Sequence, residues 1–304
     1  MLSNRPHIVL LGGSGQVGRA LRHALEGQWP LTVLDRMSAD LARPHAVVES
    51  VRGYRPDVII NAAAYTAVDR AEQQPELAYT VNATTPGILA DMAHASGAAF
   101  IHYSSDYVFD GGKSGPYLET DAPAPLSLYG RSKLAGDVAV AAACSRHFIL
   151  RTSWVYSTHG SNFLKTILRL GEERDELRIV ADQVGAPTSA RLIASVTASL
   201  LTRMFDAATD AAPWGLYNVA PTGEASWYSY ACHVLTKARE MGWPIRLLPE
   251  AVHAISSSEY PVAAVRPANS RLDTRKLRKV LGIELPQWES DVDQTLHALH
   301  SMNQ

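Results

Sequence analysis

The apolar run His7-Ile8-Val9-Leu10-Leu11 stops at a glycine, and three glycines spaced Gly12-x-x-Gly15-x-x-Gly18 lead into a helical pattern carried by Ala20, Leu21, Ala24 and Leu25. A short apolar run without alternation reads as a strand buried on both faces. Glycines in the following turn let backbone approach a pyrophosphate closely. The start of the helix behind them supplies N–H donors and the positive end of a dipole. The spacing is not G-x-G-x-x-G, and glycines often mark plain turns. Gly12, Gly15, Gln16, Val17 and Gly18 are therefore read as a nucleotide site because a strand precedes them and a helix follows.

The same alternation continues. Leu31–Asp35 reads as a second strand, with an acid at its end about 20 residues beyond the glycines, where it can bond an adenine ribose 2′-hydroxyl. Arg36 beside it suits a 2′-phosphate instead. The two residues argue for NADH and NADPH respectively and leave the choice open. Asp57–Asn61 is a third strand, followed by Ala62-Ala63-Ala64-Tyr65-Thr66, whose small side chains allow either a cofactor or close packing. A long helical region broken by Pro75 and Pro86 contains Asn82, which is either solvated or turned toward a site. Ala99–Ser104 and His147–Thr152 complete five strands alternating with helices, which implies a Rossmann-type, doubly wound parallel α/β sheet.

The chemistry concentrates between Phe100 and Leu134. The fourth strand delivers Ser105 and Asp106 to the carboxyl edge of the sheet, where open α/β sheets bind ligands. A helical pattern over Ser132–Ala143 follows Tyr129-Gly130-Arg131-Ser132-Lys133, and Tyr129 and Lys133 share one helical face. A phenol has a pKa near 10 and is a poor acid at neutral pH. An ammonium beside it lowers that value, so the phenol can exchange a proton with a carbonyl oxygen. Tyr-x-x-x-Lys is common on ordinary helices. The surrounding strand edge and nucleotide turn give it meaning here.

The second half reads differently. Asn162–Arg169 is an amphipathic helix, Asp182–Thr188 a loop, and Arg191–Met204 a helix that returns to the sheet. Gly215–Val219 is a strand, Trp227–Arg239 a helix, Arg266–Asp273 a loop and Trp288–Leu299 a closing helix. The expected division is a dinucleotide-binding domain over 1–155, with 189–212 returning to it. A smaller mixed α/β substrate domain takes 156–188 and 213–304. With 46% hydrophobic and 19% charged residues, the 304-residue chain can build a sizeable core. A net charge of −2 without a basic run argues against nucleic acid, and no apolar stretch is long enough to span a membrane. The first strand follows the N-terminus at once, so no signal peptide is expected. Cys144 and Cys232 are the only cysteines, so neither a disulfide framework nor a cysteine metal site is expected, and a reducing cytoplasm is.

Taken together, Gly15-Gln-Val-Gly18, Asn61–Asp69, His102–Phe109, Tyr129–Gly136, Arg151–Tyr156, Asp182–Thr188 and Arg266–Leu272 resemble the dTDP-4-dehydrorhamnose reductase family. That family lies within the extended short-chain dehydrogenase/reductase superfamily. The resemblance covers nearly the whole chain. It implies reduction of the 4-keto group of a dTDP-6-deoxy-hexulose by NADPH or NADH, with the product feeding a cell-surface polysaccharide. Tyr129 would donate the proton, Lys133 would bind the nicotinamide ribose, and Ser105 would bond the substrate carbonyl. Asp106 would help hold the substrate and Trp154 would lie against it. Gly15, Gln16, Val17, Asp35, Asp40, Leu41, Ala64, Tyr65 and Thr66 fall where the family contacts the cofactor.

Some family members dimerise around a magnesium ion held by glutamates. The matching positions here are Ala20, Arg191 and Ala298, so a monomer or a dimer without a bridging metal is expected. Two other readings remain. A nucleotide-sugar dehydratase or epimerase is one, although Tyr107 stands where dehydratases carry a glutamate after the aspartate. A non-catalytic NADP-binding regulatory subunit is the other, although it would have no need of Tyr129 and Lys133.

Overall fold

The computed structural model describes residues 5–205 and 212–303. Residues 206–211 of the expected return segment lie outside the described residues, as do 1–4 and 304. The first half runs β1 (Ile8–Leu11), α1 (Gln16–Leu25), β2 (Leu31–Leu34), α2 (Pro44–Gly53) and β3 (Val58–Asn61). Two short helices follow, α3 (Val68–Ala71) and α4 (Pro75–Tyr79), then a π-helical turn at Thr80–Thr84 and α5 (Thr85–Ser96). The half ends with β4 (Ala99–Ser105), a 3₁₀ turn at Asp106–Val108, α6 (Leu128–Ala143) and β5 (His147–Thr152).

The second half runs β6 (Val155–Tyr156), α7 (Phe163–Glu173), β7 (Leu177–Val180), β8 (Val184–Gly185), β9 (Thr188–Ser189) and α8 (Ala190–Met204). Then come β10 (Gly215–Val219), β11 (Ala225–Ser226), α9 (Trp227–Glu240), β12 (Val252–Ile255), α10 (Arg275–Leu281) and α11 (Trp288–Asn303).

Six strands form one sheet in the order β10-β5-β4-β3-β1-β2, and every pairing in it is parallel. Successive strand residues face opposite ways. Ile8 and Leu10 enter one core with Leu21 and Leu25 of α1 and Ile193 and Leu200 of α8. Val9 and Leu11 enter the other with Val47 and Val51 of α2, Leu89 of α5 and Val140 of α6. Each such fully buried aliphatic side chain contributes about 1.5–3 kcal/mol. A third core joins Leu164 and Ile167 of α7, Val234 of α9, and Val292 and Leu296 of α11.

Two expectations change. Gly215–Val219, expected beyond a boundary at 213, pairs with β5 as the sheet's sixth strand, and Leu277 of α10 lies in the same core. The chain therefore returns to the sheet more than once. The helix expected from Ser132 begins at Leu128, because the Ser127 hydroxyl accepts from Gly130 N at 3.1 Å and the Glu72 carboxylate accepts from Leu128 N at 2.7 Å. These caps put Tyr129 in the first helical turn.

Candidate active site

Strand order reverses between β1 and β3, the place where doubly wound sheets open a crevice at their carboxyl edge. A cleft of about 920 Å³ opens there. Gly12, Gly15, Gln16 and Val17 line it from the first turn; Arg36, Asp40 and Leu41 from beyond β2; Ala64, Tyr65 and Thr66 from beyond β3. Ser105, Asp106, Tyr129, Lys133 and Trp154 line it from the other side.

Gly15 is the N-cap of α1 and carries no capping side chain, and the first turn holds no acid. The free N–H donors of that turn and its dipole suit a pyrophosphate. Gly12 has φ +78°, and a Cβ there would sit 2.6 Å from Ala63 N. The residues therefore fit a dinucleotide.

Gly18 and Asp35 are not on the cleft wall. A Cβ on Gly18 would sit 2.1 Å from the Gly12 carbonyl, so this glycine lets α1 rest on the turn. Asp35 bends back on its own turn, where Oδ1 accepts from Met37 N at 2.9 Å and from Ser38 N and Oγ at 3.1 and 3.0 Å. These bonds, those from Ser38 above all, hold its carboxyl below the usual range. Arg36 beside it is exposed and pairs with the Asp40 carboxylate, Nε to Oδ1 at 3.7 Å.

Lys133 is buried, and its Nζ donates to the Tyr103 carbonyl at 2.6 Å and lies 3.4 Å from His102 Nε2. Burial pulls its pKa down to about 8, with Asp137 opposing. The expected lowering of the Tyr129 phenol by Lys133 is corrected here. Burial pushes the phenol above its ordinary value, the Ser105 hydroxyl opposes that rise, and Asp106 and Asp137 add to it. The ammonium points to a backbone carbonyl on β4 instead of the phenol, so desolvation dominates.

Asp106 is buried, and its Oδ1 accepts from Ser105 Oγ at 2.9 Å. Burial raises its pKa to about 6, against hydrogen bonding from Ser270 and Ser105.

Several participants lay beyond the sequence reading. Trp227 stacks on Trp154 with ring centroids 3.7 Å apart, and both line the cleft. Trp154 holds the left-handed conformation at φ +46°, and a Cβ on Gly185 would meet its ring at 2.8 Å. The Tyr107 and Tyr129 rings meet edge to face, with centroids 5.6 Å apart. Asn82, left undecided by the sequence, is buried in the π-helical turn. It accepts from Tyr65 N at 2.8 Å and donates to Tyr65 O at 3.1 Å and Ser132 Oγ at 3.0 Å. It thus fastens the 62–66 segment to α6.

A doubly wound sheet with a glycine turn and a Tyr–Lys pair in one cleft defines an extended short-chain dehydrogenase/reductase. Comparison with known proteins narrows the class. Residues 6–301 match the family described as the RmlD substrate binding domain. The dTDP-4-dehydrorhamnose reductase of Escherichia coli (strain K12) is 46% identical over 297 residues, which cover 96% of this chain and 98% of that protein. The reductase of Burkholderia thailandensis is 45% identical, over 92% of this chain and 95% of its own. A crystal structure of the Bacillus anthracis reductase in complex with NADP superposes with a TM-score of 0.88 at 32% identity, covering 97% of this chain and 99% of that one. The chain belongs to the dTDP-4-dehydrorhamnose reductase family.

Proposed function

We infer that the protein reduces the 4-keto group of dTDP-4-dehydro-L-rhamnose (dTDP-6-deoxy-L-lyxo-4-hexulose) to give dTDP-L-rhamnose, the last step in making that sugar nucleotide. The observation that carries this reading is the single cleft shared by the glycine turn and by Ser105, Tyr129 and Lys133. When bound, NADPH supplies the hydride. Gly12, Gly15, Gln16 and Val17 would hold its pyrophosphate, with Ala64, Tyr65 and Thr66 alongside, and Lys133 would meet its nicotinamide ribose.

Tyr129 holds its proton at neutral pH and gives it to the substrate's O4 as negative charge develops there. The Ser105 hydroxyl bonds the same oxygen, and the Lys133 cation stabilises the charge. Asp106 and Trp154 orient the sugar. Hydroxyl, phenol and ammonium act best in a cleft that excludes water, where their fields are strongest. We assign the sheet half to the cofactor and the α7, α9 and α11 half to the sugar nucleotide. A reducing, cytoplasmic setting agrees with two unpaired thiols.

NADPH is the preferred coenzyme in this reading. Asp35 is committed to its own turn, whereas Arg36 faces the cleft, where a guanidinium meets a 2′-phosphate. The test is an absorbance assay of NADPH and NADH oxidation with dTDP-4-dehydrorhamnose, with the product identified. Turnover to dTDP-rhamnose, faster per KM with NADPH, is the expected result, and Arg36→Ala shrinks that ratio. Tyr129→Phe should bind NADPH normally and lose roughly 10²–10⁴ in kcat. A Phe variant with wild-type turnover, or a wild type inert toward this substrate, would overturn the assignment.

A further inference from the structure

Behind the cleft lies a row of buried charges that the reaction as described does not use. Asp137 follows Lys133 by four residues on α6, so the two stand one turn apart on the helix face that also carries Tyr129. Arg151 reaches them from β5, and its Nε donates to Asp137 Oδ2 at 3.1 Å. Lys133 is 1% exposed, Asp137 3% and Arg151 4%, so cation, anion and cation alternate inside the protein. The Arg151 guanidinium sits 5.2 Å over the Phe109 ring.

Stability does not account for this row. Removing charges from water costs several kcal/mol per ion, and apolar residues of similar volume often pack as well or better. The Arg151–Asp137 pair is also not self-contained. Burial raises the Asp137 pKa, and the Arg151 charge, the Ser104 hydroxyl and the Lys133 charge all act against that rise, so the carboxylate is coupled to both cations, while Arg151 NH1 has no hydrogen-bond partner among the described residues.

Lys133 needs such charge. Its two nearest polar contacts, the Tyr103 carbonyl and the His102 imidazole, are neutral, and burial holds His102 unprotonated. The ionisable groups around Lys133 are His102 on β4, Tyr129 and Asp137 on its own helix, Asp106 in the 3₁₀ turn beside Tyr129, and Arg151 on β5 beyond Asp137. The π-helical turn packed on α6 brings the amide of Asn82, bonded to Ser132. Of these groups, Asp137 is the one whose charge opposes loss of the lysine proton.

We propose that Asp137, held by Arg151, is a positioning residue of the reaction: its buried carboxylate is the counter-ion that keeps Lys133 cationic in the cleft. The proposal rests on the reductase reading of the site. No proton leaves Asp137. It acts through the charge of Lys133, and the same field favours a protonated Tyr129, the form that donates.

The experiment is the pH profile of kcat for Asp137→Asn beside wild type, with NADPH and dTDP-4-dehydrorhamnose saturating. Loss of the carboxylate should move the basic limb to lower pH by about one to three units, while rates on the acid side stay closest to wild type. Asp137→Glu keeps the charge and should keep the limb. A profile lowered uniformly at every pH would mean a merely structural pair and overturn the proposal. Should Asp137→Asn not fold, Asp137→Asn/Arg151→Gln leaves neither charge unpaired and carries the same expectation. Failure of both to fold likewise assigns the pair to structure and overturns the proposal.

Wild type run in parallel separates the two readings. Absent wild-type turnover sinks the reductase assignment alone. NADPH affinity, titrated by fluorescence over the same pH range, then still reads the charge of Lys133, and an unshifted curve in Asp137→Asn sinks the counter-ion.

Discussion

A buried carboxylate stays strongly acidic only when donors surround it, and Asp106 has too few. The Ser270 and Ser105 hydroxyls favour its charged form, but burial outweighs them and carries its pKa to about 6. A folded-state value above the unfolded one means a stability contribution that is full below about pH 4 and lost as pH rises through about 6. A rise of some two units corresponds to about 3 kcal/mol held against the unliganded protein at neutral pH. Asp106→Asn should therefore raise unfolding stability at pH near 8 by about 1–3 kcal/mol, with the gain gone near pH 4, and should lower kcat/KM for the sugar nucleotide. Urea titrations at the two pH values check this, and equal gains at both would sink it. The identities of Ser105, Asp106, Tyr129 and Lys133 were legible because a strand end and a four-residue helical spacing are local patterns. Their protonation was not. The direction in which Lys133 Nζ points is decided by how α6 packs on β4, which no local pattern contains.

At the scale of elements, α6 carries the chemistry only because it lies unusually close to its neighbours. A Cβ on Gly136 would stand 2.0 Å from the Asn82 carbonyl, and one on Gly130 2.1 Å from the Tyr107 carbonyl. The helix is thus wedged between the π-helical turn and the 3₁₀ turn that follows β4. Gly136→Ala should cost about 1–3 kcal/mol by overpacking. It should also lower kcat, because α6 must move off the Asn82–Ser132 bond that fixes the 62–66 segment. Gly53→Ala, at the end of α2 with open space around it, is the control and should be neutral or stabilising. Thermal melts and initial rates decide it, and a Gly136→Ala enzyme as stable and fast as wild type would refute the wedge. Long buried strands such as Ala99–Ser105 were legible from composition alone. The π-helical turn was not, nor were the two-residue strands β6, β8, β9 and β11, because their partners lie far away in the chain. Trp227 was read only as a helix start for the same reason: its stacking partner is on another element.

Over the whole molecule, the two halves are tied across the cleft. The Gln16 side chain accepts from Ser157 Oγ at 3.2 Å and Asn162 Nδ2 at 2.9 Å, and the Asp69 carboxylate accepts from the two terminal guanidinium nitrogens of Arg266 at 3.2 and 2.7 Å. A third tie bears on assembly. Asp291 of α11 is buried and accepts from Tyr156 Oη at 3.2 Å, Ser189 N at 3.3 Å and Arg191 NH2 at 2.5 Å. Arg191 is one of the three positions where relatives in the resemblance carry magnesium-binding glutamates, and alanine holds the other two, Ala20 and Ala298. Magnesium requires hard oxygen ligands in octahedral array. Here the nearby carboxylate is already compensated by a guanidinium, and a dication brought beside Arg191 would meet like charge. Whatever mass the protein has in solution, chelation should leave it alone. Light scattering before and after EDTA should give the same mass, whether monomer or dimer, with unchanged kcat. A dimer that falls apart on chelation and reforms with magnesium would show that ligands from other positions hold the ion, and would overturn this reading of Arg191.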